Sequence, residues 1–360
     1  MAGVRQRGEE IRSFLLEHVQ YNHKNINKLA ADKFQISRQA VNGHLSRLVK
    51  EGALLQKGAT RNKVYELAVL DKWFNSYSLH SSPAPAEDYI WRTDVQQALG
   101  PLPDNVLKIW YFGFSEMFNN AIDHSEGSTI YVGITKTAIN TEMVIGDDGV
   151  GIFRKIQNAL QLQDERHAIF ELSKGKLTTD PARHSGEGIF FTSRVFDGFD
   201  ILSGGVFFSH EFHKEEDWLS EMTTPTASGT SVFLRLSNNS QRIISEVYDR
   251  YAEGSDDYGF NKTVVPVRLA QYGNDQLISR SQAKRVMARV ELFTRVIMNF
   301  ENVSEIGQAF ADEVFRVFAN AHPKIQIVAI NTSQEVDQMI QRAQQAALQD
   351  RGAKPSSSGE

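Results

Sequence analysis

The sequence predicts an α+β chain of several successive units, and three observations lead there. Its 360 residues exceed what one hydrophobic core usually organises. The first part reads as three short helices followed by a hairpin. The last part alternates apolar strands with helices, the order of a mostly parallel α/β unit. Composition fits a globular chain, with 41% hydrophobic and 23% charged residues. The lack of cysteine excludes disulfide frameworks, thiolate metal sites and cysteine nucleophiles. There is no run of about 18 uncharged apolar residues and no signal-peptide core. A cytoplasmic location without membrane contact is therefore expected.

The formal net charge of -5 divides unevenly, because up to Lys63 twelve Lys and Arg face five Asp and Glu. A basic head on an acidic remainder directs only the head toward nucleic acid. Within residues 1–70, a helix over Gly8 to Gln20 turns Ile11, Phe14, Leu15 and Val19 inward, and a second follows from Ile26 to Lys33. Ser37 suits the N-cap of a third helix that buries Val41, Leu45 and Leu48 and stops at Gly52. Residues 53–67 then read as a hairpin with a polar tip from Lys57 to Asn62. This order resembles a winged helix-turn-helix domain of the bacterial transcription-regulator kind. The resemblance implies DNA as a partner, with the third helix in the major groove. Its outward residues Arg38, Gln39, Asn42, His44 and Arg47 are of types that reach base edges and phosphates, and Lys57, Arg61 and Lys63 lie on the wing. Winged helices also serve as protein-contact modules, and that alternative stays open. Residues 71–87 are rich in Ser, Pro, Ala and Asn and read as a linker, with Trp73 and Phe74 closing the head.

In residues 88–240 the central feature is a helix over residues 114–127, FSEMFNNAIDHSEG. Phe114, Met117, Phe118, Ala121 and Ile122 form its apolar stripe. Glu116 and Asn120 stand i, i+4 on another face, with Asp123 a turn on and His124 beside it. A carboxylate next to an amide oxygen suits a water-activating base beside a magnesium ligand, although a solvated polar face has the same pattern. Two strands, Thr129 to Thr135 and Thr141 to Ile145, lead into GDDGVGIF, which sets Asp147, Gly149 and Gly151 in the turn leaving a strand. A carboxylate there can accept from an adenine amino group, whereas guanine has a carbonyl at that place. The polar stretch Arg154 to Arg183 reads as a mobile lid, with Lys174, Lys176, Arg183 and His184 as candidates for phosphate contact. Gly186-x-Gly188 precedes a helix and would present backbone N–H groups at its positive end, and Gly229-Thr230 opens the last strand. His210 and His213 fall on opposite faces of a strand, so no zinc site is expected.

These four motifs, in this order, resemble the GHKL ATP-binding fold of gyrase, the heat-shock chaperone, histidine kinases and MutL, over roughly Tyr89 to Leu236. The resemblance implies an α/β sandwich with ATP and Mg2+ as cofactors. By it, Asn120 would ligate magnesium and Asp123 would belong to the nucleotide site. Asp147 would read adenine, with Thr230 supporting the base. Gly149, Gly151, Gly186 and Gly188 would shape the pocket and its lid, and Glu116 would position or deprotonate the attacking water or hydroxyl. A winged helix and linker stand where histidine kinases keep their phosphoacceptor helix. The motif glutamate is similar to that of the branch with ATPases and anti-sigma-factor serine kinases.

Residues 241–346 read as strands at Thr263 to Leu269, Arg295 to Phe300 and Lys324 to Ile330, with helices at Ser281 to Leu292, Gly307 to Phe318 and Gln334 to Ala346. The segment FENVSEIGQAFADEVFRVF resembles STAS domains of anti-sigma-factor antagonists, which implies a protein partner. Where those domains carry a phosphorylatable Ser, this chain has Gly307, Gln308 and Ala309, and Ser304 suits an N-cap. Either Ser304 is used in its place or the domain is a degenerate partner module that is never phosphorylated, and the second is the expectation, followed by a disordered tail over 347–360. Together these readings predict an ATP- and magnesium-binding regulator that couples nucleotide state to DNA binding and to a STAS-like partner module. The alternatives are a serine protein kinase acting on a STAS domain and a slow ATPase cycling as a homodimer.

Overall fold

The computed structural model describes residues 2–59, 63–178, 185–212, 217–221, 228–252, 259–271 and 276–352. The N-terminal unit holds α1 (Ala2–Val19), α2 (Ile26–Phe34) and α3 (Arg38–Lys50), then β1 (Leu54–Lys57) paired antiparallel with β2 (Val64–Leu67). Local chemistry sets these boundaries. Ser37 accepts the Ala40 amide at 3.1 Å and caps α3. Gln35, in a left-handed conformation at φ 52°, ends α2. Leu15, Val19, Ile26, Val41, Leu45, Leu48 and Tyr65 form a core separate from the rest of the molecule.

The expected linker is replaced over its first part by an edge strand. Asp71–Ser78 forms β3 and pairs along its length with β4 (Thr129–Lys136). Its polar composition conceals a period of two, in which Trp73, Tyr77 and Leu79 pack on the large core and Asn75 on the same side donates to Asp94 at 3.1 Å, while Lys72, Phe74, Ser76 and Ser78 face out. Trp73 and Phe74 therefore belong to this sheet and not to the head. The sheet runs β3-β4-β5-β9-β6-β7-β8 and is antiparallel throughout. It is completed by β5 (Asn140–Asp147), β6 (Gly198–Ser203), β7 (Val206–Glu211), β8 (Asp217–Glu221) and β9 (Thr230–Ser237). Insertion of β9 between β5 and β6 sets Thr230 directly opposite Asp147.

One face of the sheet is covered by helices. A run from α4 (Glu87–Ile90) through a π turn, Trp91–Val95, to α5 (Gln96–Leu99) precedes the long α6 (Asp104–His124). Helix α6 buries Trp110, Phe114, Met117, Phe118 and Ala121, with Ile122 partly covered. The expected mobile lid is largely two helices, α7 (Ile152–Leu160) and α8 (Glu165–Lys174), ahead of α9 (Gly188–Val195). Every side chain of α8 from His167 to Lys174 is buried. Burial on all sides removes the amphipathic period a sequence reading depends on, and Glu171 and Lys174 tolerate it by pairing at 2.7 Å.

The C-terminal unit begins with α10 (Ile244–Asp249) and carries a parallel sheet ordered β10 (Lys262–Pro266), β11 (Arg295–Asn299), β12 (Gln326–Ile330). Helix α11 (Arg280–Val286) starts with a capping box of Ser279 and Gln282. It stops short of Leu292, because Arg289 adopts φ 63° and a 3-10 turn follows. Helix α12 (Gln308–Asp312) continues through a π turn into α13 (Ala319–Ala321), and α14 (Gln334–Gly352) runs into the expected tail, of which residues 353–360 lie outside the described set. One hydrophobic core extends through both the antiparallel and the parallel sheet, giving an α+β multidomain chain. Among the described residues no helix is long and apolar enough to cross a membrane.

Candidate functional site

A cavity of about 290 Å³ opens between α6, the β5–α7 turn, the start of β9 and the stretch that joins α8 to α9. Glu116, Asn120, Asp147, Gly151, Gly186, Gly188 and Thr230 line it, so seven of the nine residues expected at the central site come together. Its walls are apolar, with Met117, Ile145, Ile156, Leu172, Leu177 and Val232 among them. The cavity side of α6 is formed by Glu116, Met117, Asn120, Ala121 and His124. Asp123 falls about 90° round the helix from the middle of that side at 3.6 residues per turn. It is exposed and does not line the cavity. Gly149 also stands outside the lining, where its amide donates to Asp147 Oδ1 at 2.9 Å and shapes the turn.

Asp147 ends β5 with its carboxylate buried beside that apolar wall. Burial pushes its pKa above the usual carboxylate range, and backbone hydrogen bonds from Gly149 and Thr230 offset part of the rise. Thr230 holds the next element in turn, since its Oγ1 accepts the Ile152 amide at 3.0 Å. That bond fixes the entry to α7 just after Gly151, whose φ of +87° a side-chain-bearing residue rarely adopts. The result is a rigid acceptor in an apolar setting, suited to an amino group on a flat ring.

On the opposite side, the Glu116 carboxylate lies against the first residue of α9. A Cβ at Gly188 would overlap Glu116 Oε2, so glycine there is what lets the carboxylate approach the positive end of that helix. Asn120 follows one turn later on the same wall. Two oxygen donors without a full ligand cage suit a hard cation that takes its other ligands from phosphate and water, as magnesium does. Among the described residues no group of three or more His, Cys, Asp or Glu could hold a metal ion. His210 is buried on β7, while His213, Glu215 and Glu216 lie outside the described residues.

Sequence reasoning missed Lys155. It lines the cavity from α7 and donates to the His124 carbonyl at 2.7 Å and to Glu126 Oε1 at 2.9 Å. The signal was its position three residues after Ile152 and one before Ile156, both of which line the cavity; reading that stretch as a lid hid the helix. The lid lysines are corrected as well. Lys174 is fully buried against the C-terminal unit, and Lys176 donates to the Leu292 carbonyl at 3.0 Å and rests over Phe293. Both are drawn away because the C-terminal unit offers them acceptors, carbonyls at the end of α11 for the buried Lys174 ammonium and the Leu292 carbonyl with the Phe293 face for Lys176. Arg183 and His184 lie outside the described residues.

In the head, Arg38, Gln39, Asn42 and Arg47 are exposed along α3 and His44 is half-buried. Asn42 also accepts from Asn27 on α2, so it braces the helix pair. On the hairpin Lys57 pairs with Glu66 at 2.6 Å, Lys63 is exposed, and Arg61 lies outside the described residues.

Comparison with known families matches residues 282–337 to a STAS-like domain of unknown function (DUF4325), so the C-terminal unit is STAS-like. A comparison with curated proteins finds no match.

Proposed function

We propose that this chain is a nucleotide-controlled regulator. In this reading the central unit is a GHKL-type domain that binds ATP with magnesium, the head is a winged helix-turn-helix that binds DNA, and the STAS-like unit docks a protein partner. The observation that carries it is convergence: residues from four separate segments, at 116 and 120, 147 and 151, 186 and 188, and 230, line one apolar-walled cavity. Asp147 would take the adenine amino group in addition to the Gly149 and Thr230 amides it already accepts, and would reject guanine. Asn120 would contribute one magnesium ligand beside phosphate oxygens. The first amides of α9 and the Lys155 ammonium, which borders the same cavity, would meet the phosphates.

An enzymatic version is favoured by Glu116, a carboxylate lining the same cavity that could orient or deprotonate a water or a hydroxyl. Incubation of the full chain with γ-labelled ATP and magnesium separates the versions. Label on protein indicates a serine kinase, free phosphate indicates an ATPase of the dimer-cycling kind, and bound intact ATP indicates a nucleotide-gated binder. No binding of ATP or ADP by calorimetry removes the reading altogether.

A further inference from the structure

The stretch from Leu172 to Thr178 has two sides. With Leu172, Leu177 and Thr178 it lines the cavity. With Lys174, Gly175 and Lys176 it is held by the STAS-like unit. Lys174 Nζ closes the end of α11, donating to the carbonyls of Arg285 at 3.3 Å and Ala288 at 2.8 Å. Thr263 Oγ1 on β10 donates to the Lys174 carbonyl at 2.6 Å. Beyond Lys174 the chain reverses through Gly175 at φ +83° and Lys176 at φ 51°. The second of these is a left-handed residue with a side chain, a conformation that persists where the surroundings impose it.

Arg289 is the side chain that grips this turn. Its guanidinium donates to the Gly175 carbonyl at 3.2 Å, to the Lys176 carbonyl, and to Glu171 Oε2 at 3.0 Å. Arg289 is itself left-handed, so strained residues face each other across this contact. Cohesion between the two units does not require such an arrangement, since the Lys174 and Thr263 bonds already supply it. The fork instead addresses the turn. Directly after the turn, the Leu177 amide donates to the Gly186 carbonyl at 3.1 Å, which ties it to the glycines that open α9 beside Glu116.

Resting on the reading of the cavity as a nucleotide site, we infer that Arg289 of the STAS-like unit is a positioning residue of that site, and that nucleotide affinity is thereby coupled to the state of the STAS-like unit. The coupling is reciprocal: whatever displaces the segment from Arg285 to Leu292 weakens nucleotide binding, and bound nucleotide resists that displacement.

The test uses the full chain and N-methylanthraniloyl-ADP with magnesium, followed by fluorescence. Arg289→Gln should raise Kd about tenfold, the loss of roughly one charge-assisted hydrogen bond. Arg289→Lys should recover only part of this, because a point charge satisfies Glu171 without forking to two carbonyls. Arg280→Ala, which removes a pairing with Asp312 inside the STAS-like unit, should stay within about twofold. Amide hydrogen exchange without nucleotide supplies a second readout, in which Arg289→Gln should speed exchange at Leu177 and leave β10, β11 and β12 protected. Parent-like affinity in Arg289→Gln overturns the inference, as does loss of protection spread over β10 to β12, which would mark general destabilisation. A parent chain that binds no adenine nucleotide instead removes the proposed function, and unchanged exchange at Leu177 would then dispose of the positioning role as well.

Discussion

Asp147 is fixed on several sides before any ligand arrives, by the Gly149 amide, by the facing start of β9 and by the apolar wall. Its raised pKa means that the native carboxylate costs stability. That cost is present in full above the folded value and vanishes once pH falls below the ordinary value of 3.8, where both states are protonated. Asp147→Asn should therefore melt at a higher temperature than the parent at pH 7, with the two converging toward pH about 4. The same substitution should weaken ATP binding by about 10- to 100-fold and abolish preference for ATP over GTP, the size expected for one hydrogen bond to a charged group. Parent protein that binds both nucleotides equally would contradict the adenine role. At Gly188, an added methyl meets Glu116 Oε2. Gly188→Ala should cost about 1–3 kcal/mol of stability by overpacking and lower nucleotide affinity, measured by urea unfolding and titration.

Among the elements, α8 is where the sequence misleads most. A helix buried on every side and carrying Glu171 and Lys174 has no polar face to betray it, and the pair makes sense only once Arg289 and the end of α11 close over it. Burial pushes the Lys174 ammonium down to about 8 from 10.5. With the folded value below the unfolded one, the unfolded chain binds more protons between these two pH values, so the cost of the buried charge is complete below pH 8 and fades by 10.5. Parent stability relative to Lys174→Met should therefore rise by about 3 kcal/mol across that window, read from urea unfolding at each pH. A flat difference would mean that Lys174 keeps its charge without penalty. On α3, a Cβ at Gly43 meets nothing within 4 Å. Gly43→Ala should stabilise the chain by about 0.5–1 kcal/mol, because alanine loses less backbone entropy in a helix.

For the whole molecule, the partition of cores matters. The head has its own core, touched by Ala138 and Ile139 from the turn between β4 and β5, while the central and STAS-like units share one. Leu172 and Leu177, which line the cavity, thus belong to the core shared with the STAS-like unit, whereas the head rests on a turn of the central sheet. If the head binds DNA as proposed, the full chain should bind duplex with an affinity that falls steeply with salt. Arg38→Ala with Arg47→Ala should reduce the log–log slope by about one to two, in step with lost phosphate contacts. No binding at about 50 mM salt would leave the head as a protein-contact module.

Local chemistry made much of this legible in one dimension. A cap such as Ser37, the i, i+4 pair of Glu116 and Asn120, the glycine-bounded turn after Asp147 and the strand–helix alternation of the C-terminal unit all depend on neighbours within a few residues, and periodicity reports them. What tertiary structure alone decided are relations between distant segments. Insertion of β9 set Thr230 opposite Asp147, the edge of the sheet recruited a stretch whose composition reads as linker, and the STAS-like unit captured Lys174, Lys176 and the turn between them. Such placements follow from which apolar faces and which stranded charges find partners in three dimensions, and no spacing along the chain encodes that.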